Sequence, residues 1–286
     1  MMRQDLMAVV PTNAMDVEPS IRDEIIRFFE RNKIEYGFGA YYNIDLLLTQ
    51  YISVLHKSVL PQPRKVFISR ELNAKLNTIS FAQWRPCLMT MKSEFERGVD
   101  MRFRLSTGSA KAYSKDNLLI AWKIHHFHFN PALKQGDMLL FAIVNDDAVY
   151  MVDVLPHNHY SFSTYRLLEI AVSNWRFLYD RYEVKADHTT IVIRSEKDID
   201  KLWKGNINTA FAVQNKVYMP GLFTGNGQDG DAAIRTNTIL NTIKVNQIKG
   251  ILNDCTLKQV WLTGRTTPTL IIDYWDRNKV LHTWPL

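Results

Sequence analysis

Cysteine is nearly absent from this chain. Cys87 and Cys255 are the only two among 286 residues, and neither belongs to a CxxC pair. Two isolated cysteines cannot build a disulfide framework, so we expect reduced thiols and a cytoplasmic location. Residues 1–20 lack a basic start followed by an apolar run, and no apolar stretch reaches the roughly 18 residues of a membrane span. We therefore expect a soluble protein without a membrane partner.

Internal repeats and low-complexity tracts are also missing from the sequence. Apolar residues make up 46% of the chain and charged residues 22%, which is typical of a globular protein and not of a disordered one. A chain of this length buries a substantial core, either in one large domain or in two moderate ones.

Positive charge is concentrated in one middle segment. The net charge is +6, yet residues 57–123 alone hold 13 Lys and Arg against 5 Asp and Glu. A basic segment attracts polyanions, because neutralised phosphates release counterions. We expect RNA contacts from the basic residues towards the end of this segment, namely Arg97, Arg102, Arg104, Lys111 and Lys115. The alternative is a solvated basic face without a ligand.

Hydrophobic periodicity changes along the chain and predicts an α+β fold. Helical spacing dominates residues 1–115, which we expect to be mostly helical and basic towards their end. Residues 116–185 predict an antiparallel sheet followed by a helix, with Asn145, Asp146 and Asp147 as a hairpin turn. Residues 186–286 mix both patterns and predict a C-terminal α+β part, which is either separate or continuous with 116–185.

Five of the eight histidines lie between positions 125 and 159, in the predicted sheet. Side chains alternate between the two faces of a strand, so His126 and His128 share one face while His125 points to the other. His157 and His159 share a face if the chain after Leu155 stays extended. In an antiparallel sheet these two pairs can converge, which makes them the candidate site.

Two chemistries use such a cluster. Histidines near their ordinary pKa act as general acid and base, and a cation such as Lys123 then stabilises the charge on a phosphate during metal-free RNA cleavage. Alternatively, the HxH pair and a later histidine bind a divalent transition metal. The metal ligands would be His126, His128, His157 and His159, and Asp137 or Asp153 could complete the set.

A third interpretation is non-enzymatic. The histidines are then ordinary polar members of a sheet, and the protein binds nucleic acid or a protein partner. The sequence alone leaves all three interpretations open.

The segment Leu139–Tyr160, LLFAIVNDDAVYMVDVLPHNHY, resembles the end of the core in RelE/YoeB-type ribonuclease toxins. Those proteins run from helices into an antiparallel sheet with an acidic turn and a late His or His-Tyr. The resemblance implies RNA cleavage without a cofactor, on the ribosome in many cases, and an antitoxin or inhibitor as partner. It implies that His159 is the general acid and that Tyr160 orients or stacks on a base.

The resemblance covers 25–40 residues and lacks several of the family's features. Gly136 and Asp137 stand where those toxins carry an arginine, and no residue matches their catalytic carboxylate. The general base therefore has to come from His126, His128 or His157. A second resemblance, over residues 116–175, is to uncharacterised bacterial proteins with IHHxH followed by LLFA. Together the two imply a toxin or an antiviral-defence effector.

Overall fold

The structure, a computed structural model, describes residues 14–130, 132, 138–185, 195–219, 221–263 and 269–286, without the side chains of residues 159, 160 and 261–269. Its described α-helices are α1 Glu18–Arg31, α2 Phe38–Tyr41, α3 Ile44–Lys57, α4 Arg70–Leu76, α5 Arg85–Arg97, α6 Asn117–Trp122, α7 Arg166–Trp175, α8 Glu196–Lys204 and α9 Gly230–Ile248. Its described strands are β1 Lys65–Ile68, β2 His125–His128, β3 Met138–Val144, β4 Ala148–Pro156, β5 Glu183–Val184, β6 Phe211–Val213, β7 Lys216–Tyr218, β8 Thr256–Thr263, β9 Thr269–Trp275 and β10 Leu281–Pro285. The α+β class predicted from the sequence is confirmed.

The chain divides into two compact units. Residues 1–55 and 232–286 form one unit, and residues 56–231 form the other. The boundaries expected from the sequence, at 115/116 and 185/186, both fall inside the unit 56–231. Periodicity along the chain does not reveal this division, because the first unit is built from the two ends of the sequence.

The unit made of residues 1–55 and 232–286 combines helices with a three-stranded sheet. The strand order is β10-β9-β8, and both pairs are antiparallel. Helix α1 contacts β8 and buries Ile21, Ile25 and Phe29, which recur at the three- to four-residue spacing of a helical face. No helix of the described residues is both long enough and apolar enough to cross a membrane.

The unit 56–231 is built around a four-stranded sheet of order β1-β4-β3-β2. The pairs β4-β3 and β3-β2 are antiparallel, and the turn between β3 and β4 is the one that the sequence predicted. Strand β1 adds to β4 in parallel. That pairing joins positions about 80 residues apart, so local sequence patterns could not reveal it.

Helices cover both faces of this sheet. Strand β3 contributes Leu139, Phe141 and Ile143 to a core that includes α6 and α7, and Leu140 and Ala142 to a second core that includes α4 and α5. Strands buried on both faces become apolar at every position, which explains the unbroken run in β3. Strand β2 is at the edge of the sheet, and this edge carries the histidines.

Candidate active site

Three of the predicted histidines come together at the edge strand β2. The ring centroids of His126 and His128 are 6.2 Å apart, and those of His128 and His157 are 5.3 Å apart. Strand alternation places the first two on one face of β2, while His157 follows β4 after Pro156. The convergence of His126, His128 and His157, hereafter the histidine triplet, therefore agrees with the sequence prediction.

Phe162 is the apolar member of the site. Its ring meets His126 edge-on at 5.0 Å and His157 at 5.6 Å. The segment between β4 and Phe162 folds back because Ser161 Oγ donates to the carbonyl oxygen of Pro156, at 2.6 Å, and the Ser161 N–H donates to the side chain of Asn158. This turn brings Phe162 and His157 against β2.

Asp116 is a site residue that sequence reasoning missed. It caps α6, since its Oδ1 accepts a hydrogen bond from the Leu119 N–H at 3.0 Å. Its Oδ2 lies 3.4 Å from His126 Nδ1. That distance is within range of a charge interaction, but the alignment does not make a hydrogen bond, and His126 Nδ1 has no hydrogen-bond partner among the described residues. An Asp shortly before a short apolar run, here residues 118–122, is the N-cap signal that could have located this residue.

His125 is buried and faces away from its neighbour His126. Burial lowers the pKa of His125 to about 4, although the negative charge of Asp116 acts in the opposite direction. The ring is therefore neutral at pH 7. His125 and His126 nevertheless both line one cavity, which is described below.

Lys57, at the end of α3, is the second residue that the sequence did not reveal. Its Nζ donates to the carbonyl oxygens of Lys111 and Ser114, at 2.7 and 3.0 Å, and so holds the segment that leads into Asp116. Burial lowers the pKa of Lys57 to about 8, while Asp116 and Asp229 attract its positive charge. Next to it, His56 Nδ1 and Asp229 Oδ2 are 2.6 Å apart.

A cavity of about 270 Å³ adjoins His126 within the unit 56–231. Its charged lining residues are Lys57, Lys115, Asp116 and Asp200, and its aromatic ones are Phe162 and Trp203. Asn117 and Ser163 add an amide and a hydroxyl to the wall. The cavity thus combines an imidazole, carboxylates, ammonium groups and flat apolar surfaces.

Lys123, which we predicted near the phosphate, is not among the described residues that line this cavity. It caps the end of α6 with a left-handed backbone, φ 61°, and its Nζ is 2.5 Å from Asp231 Oδ2. Lys115, which we predicted only as an RNA contact, lines the cavity instead, with its Nζ donating to Asn206 Oδ1 at 3.1 Å. The tight turn after α6 directs Lys123 away from the cavity.

Arg104 occupies a structural position rather than the RNA contact that we predicted. Its guanidinium is buried, pairs with both oxygens of Glu94 at 2.7 and 3.0 Å, and donates to the carbonyls of His128 and Phe129. These contacts hold the backbone at the end of β2, so Arg104 helps to position His128 of the histidine triplet. Arg102 pairs with Asp100 and is exposed.

Neither of the remaining predicted RNA contacts, Arg97 and Lys111, is among the described residues that line the cavity. Arg97 is exposed at the end of α5 and donates to the carbonyl of Ser93. Lys111 contributes its carbonyl to the bond with Lys57. The basic residues of this segment therefore have different environments. Arg97 and Arg102 are exposed, Arg104 forms a buried ion pair, and Lys115 lines the cavity.

The side chains of His159 and Tyr160, and all of Asp137, lie outside the described residues. Asp153 is buried and pairs with Lys75 at 2.6 Å, so it serves that ion pair and not the metal set in which we considered it. Among the side chains that the structure describes, no three from His, Cys, Asp or Glu are arranged to hold a metal ion. The metal alternative includes His159 and stays a prediction.

Comparison with known proteins adds no relative. No family model matches the chain, and neither a curated protein nor a solved structure does. The resemblance to ribonuclease toxins therefore stays a prediction.

Proposed function

We propose that this protein is an endoribonuclease that cleaves RNA through acid–base chemistry at the histidine triplet. The observation that carries the proposal is the contiguous arrangement of His126, His128 and His157, with a carboxylate, Asp116, on the far side of His126. Metal-free RNA cleavage needs two groups that exchange protons at neutral pH, and imidazoles are suited to this.

His126 serves as the base in this proposal. Its Nδ1 faces Asp116, so Nε2 is the nitrogen that takes the proton of the ribose 2′-OH as the 2′-oxygen attacks phosphorus. The Asp116 carboxylate stabilises the imidazolium that forms, as a carboxylate does behind a catalytic histidine.

The acid is a protonated imidazole on the other side of the phosphate. His157 or His128 donates its proton to the 5′-oxygen as the P–O5′ bond breaks, leaving a 2′,3′-cyclic phosphate and a 5′-hydroxyl. Lys115 is the cation of this proposal, because it is exposed to solvent beside the cavity that His126 lines. The resemblance to ribonuclease toxins implies His159 as the acid, so the experiment includes it.

The test is cleavage of a labelled RNA by the full chain in excess EDTA, with product ends identified by mass spectrometry. We expect cyclic-phosphate ends and losses of at least about 100-fold in His126→Ala and in His157→Ala or His159→Ala, since one proton-transfer group contributes roughly 10²–10⁴ in rate. His282→Ala, in the other unit, is the matched control and should cleave normally.

Three outcomes would count against the proposal. Full cleavage by His126→Ala would exclude this histidine as the base. Cleavage only after a transition metal is restored would favour the metal-dependent nuclease. Normal RNA binding with no cleavage under any condition would favour the binding protein. Toxicity on expression, relieved by His126→Ala and His159→Ala, would support the toxin or defence-effector role.

A further inference from the structure

The cavity beside His126 contains groups that the proton transfers do not use. Ser163 and Asn117 belong to its wall, and Phe162 and Trp203 provide its aromatic surfaces. We propose that this cavity binds one unpaired nucleobase of the RNA and so gives cleavage a base preference. This inference rests on the proposed ribonuclease function, and it concerns residues that neither transfer nor hold a proton in that reaction.

Two polar atoms in the wall are unpartnered. Ser163 Oγ and Asn117 Oδ1 are buried and have no hydrogen-bond partner among the described residues, and Ser163 is only 2% exposed. A buried polar atom without a partner costs about 1–3 kcal/mol. Nucleobases carry both hydrogen-bond donors and acceptors on their edges, which are the partners that these two groups lack.

The charges of the wall favour a neutral group over a phosphate. Lys57 Nζ already donates to two backbone carbonyls, and Lys115 Nζ donates to Asn206. Two carboxylates, Asp116 and Asp200, line the same space. An anion inside the cavity would meet these carboxylates, so the phosphate belongs outside, on the side of the histidine triplet.

The size and the aromatic walls of the cavity suit a flat ring. Its volume of about 270 Å³ is near the lower end of ligand pockets, which run from roughly 300 Å³ upwards. Trp203 is held in place by edge-on contact with Trp122, at 4.8 Å between centroids. Proteins that read single bases hold them between aromatic or apolar side chains and bind their edges with hydrogen bonds.

Phe162 connects the cavity with the histidines. It lines the cavity and also contacts His126 and His157. A base seated against Phe162 would therefore leave its own ribose and phosphate beside the triplet. This placement couples the identity of the base to the position of the scissile bond.

The test is calorimetric titration of the full chain with adenosine, guanosine, cytidine and uridine, each without phosphate. We expect one or two of the four to bind, and Ser163→Ala and Asn117→Ala to weaken that binding at least about fivefold. Ser80→Ala, an exposed serine of the same unit away from the cavity, is the matched control. In RNA cleavage, Ser163→Ala should flatten the base preference at the cut site.

The outcomes separate this inference from the proposed function. No binding of any nucleoside at millimolar concentration, or displacement of the nucleoside by inorganic phosphate, would overturn the base pocket. Cleavage whose base preference is unchanged by Ser163→Ala and Asn117→Ala would overturn it while the ribonuclease stands. If nucleoside binding depends on Ser163 and Asn117 but the protein never cleaves RNA, the base-binding cavity is supported and the ribonuclease function is refuted.

Discussion

At the scale of single residues, Asp116 does more than the sequence suggested. One carboxylate caps α6, lies beside His126 and acts on the charges of Lys57 and His125. Asn caps a helix as well as Asp does, so Asp116→Asn removes the charge and keeps the cap. That substitution isolates the electrostatic role of the residue.

We expect Asp116→Asn to lower the pKa of Lys57 below its value of about 8, because the attraction that holds the proton is lost. NMR titration of the lysine side-chain carbons measures this pKa directly. The proposed RNA cleavage should fall at least about tenfold while the unfolding free energy changes little. Asp180→Asn, at an exposed position of the same unit, is the control. An unchanged pKa of Lys57 in Asp116→Asn would refute the electrostatic role of Asp116.

His125 makes stability depend on pH. Its folded pKa is about 4 and its unfolded pKa about 6.5, so between these values the unfolded chain binds a proton that the folded chain does not. Stability is therefore lost as the pH falls through this window, by up to about 3 kcal/mol. Urea unfolding at pH 7, 6 and 5 should show that the unfolding free energy falls less in His125→Gln than in the unsubstituted protein. Equal falls in the two proteins would contradict the lowered pKa of buried His125.

Arg104 and Arg102 test the difference between a buried and an exposed ion pair. Removing the Arg104 guanidinium in Arg104→Met leaves the Glu94 carboxylate buried without its partner, which costs about 3–5 kcal/mol of unfolding free energy. Arg102→Ala breaks a pair in which the arginine is 66% exposed, and we expect little change in stability. Urea unfolding measures both, and similar values for the two variants would refute the structural role of Arg104.

At the scale of elements, the end of α5 determines how the chain enters β1. Gly98 closes α5 with φ +72°, and a Cβ there would lie 2.5 Å from backbone atoms of Gln62 and Pro63. Only glycine combines that backbone conformation with so close an approach. Gln62 and Pro63 come shortly before β1, so this contact lies at the entry to the strand that pairs with β4.

We expect Gly98→Ala to destabilise the unit 56–231 by about 2–4 kcal/mol, from left-handed strain together with overpacking. Gly225→Ala is the matched control, because nothing lies within 4 Å of the Cβ that it would add. Thermal unfolding followed by tryptophan fluorescence compares the two. If the Gly98→Ala protein were as stable as the Gly225→Ala protein, the segment at Gln62 and Pro63 would have to move away from α5 and accommodate the added Cβ.

At the scale of the whole molecule, charge divides unequally between the units. Residues 56–231 carry 23 Lys and Arg against 18 Asp and Glu, which accounts for +5 of the net +6. Several of these cations are already paired, as Arg104 and Lys123 are. The proposed RNA binding should therefore involve few phosphate contacts.

For about three phosphate contacts on a single strand, we expect RNA affinity to fall about 20-fold between 50 and 200 mM salt. Lys111→Ala together with Lys115→Ala should make the dependence on salt shallower, while Lys244→Ala in the other unit should not. Fluorescence anisotropy with an unstructured oligonucleotide gives both slopes. Affinity independent of salt would contradict electrostatic binding by the basic segment.

The sequence by itself determined the α+β class, the β3–β4 hairpin and the shared face of His126 and His128. Each follows from local rules: turn residues between apolar runs, and strand alternation. The place of His157 depends on β4 and on the turn after it, and it agrees with the sequence prediction.

Only the tertiary structure decided which charged and polar groups lie near the histidines. Asp116, Lys57 and Ser163 are up to 106 positions apart in sequence, and no local pattern links them. The same holds for Lys123 and Arg104, whose carboxylate partners Asp231 and Glu94 determine whether their charge is available. Sequence periodicity fixes which face a side chain occupies, whereas packing between distant elements decides what that face meets.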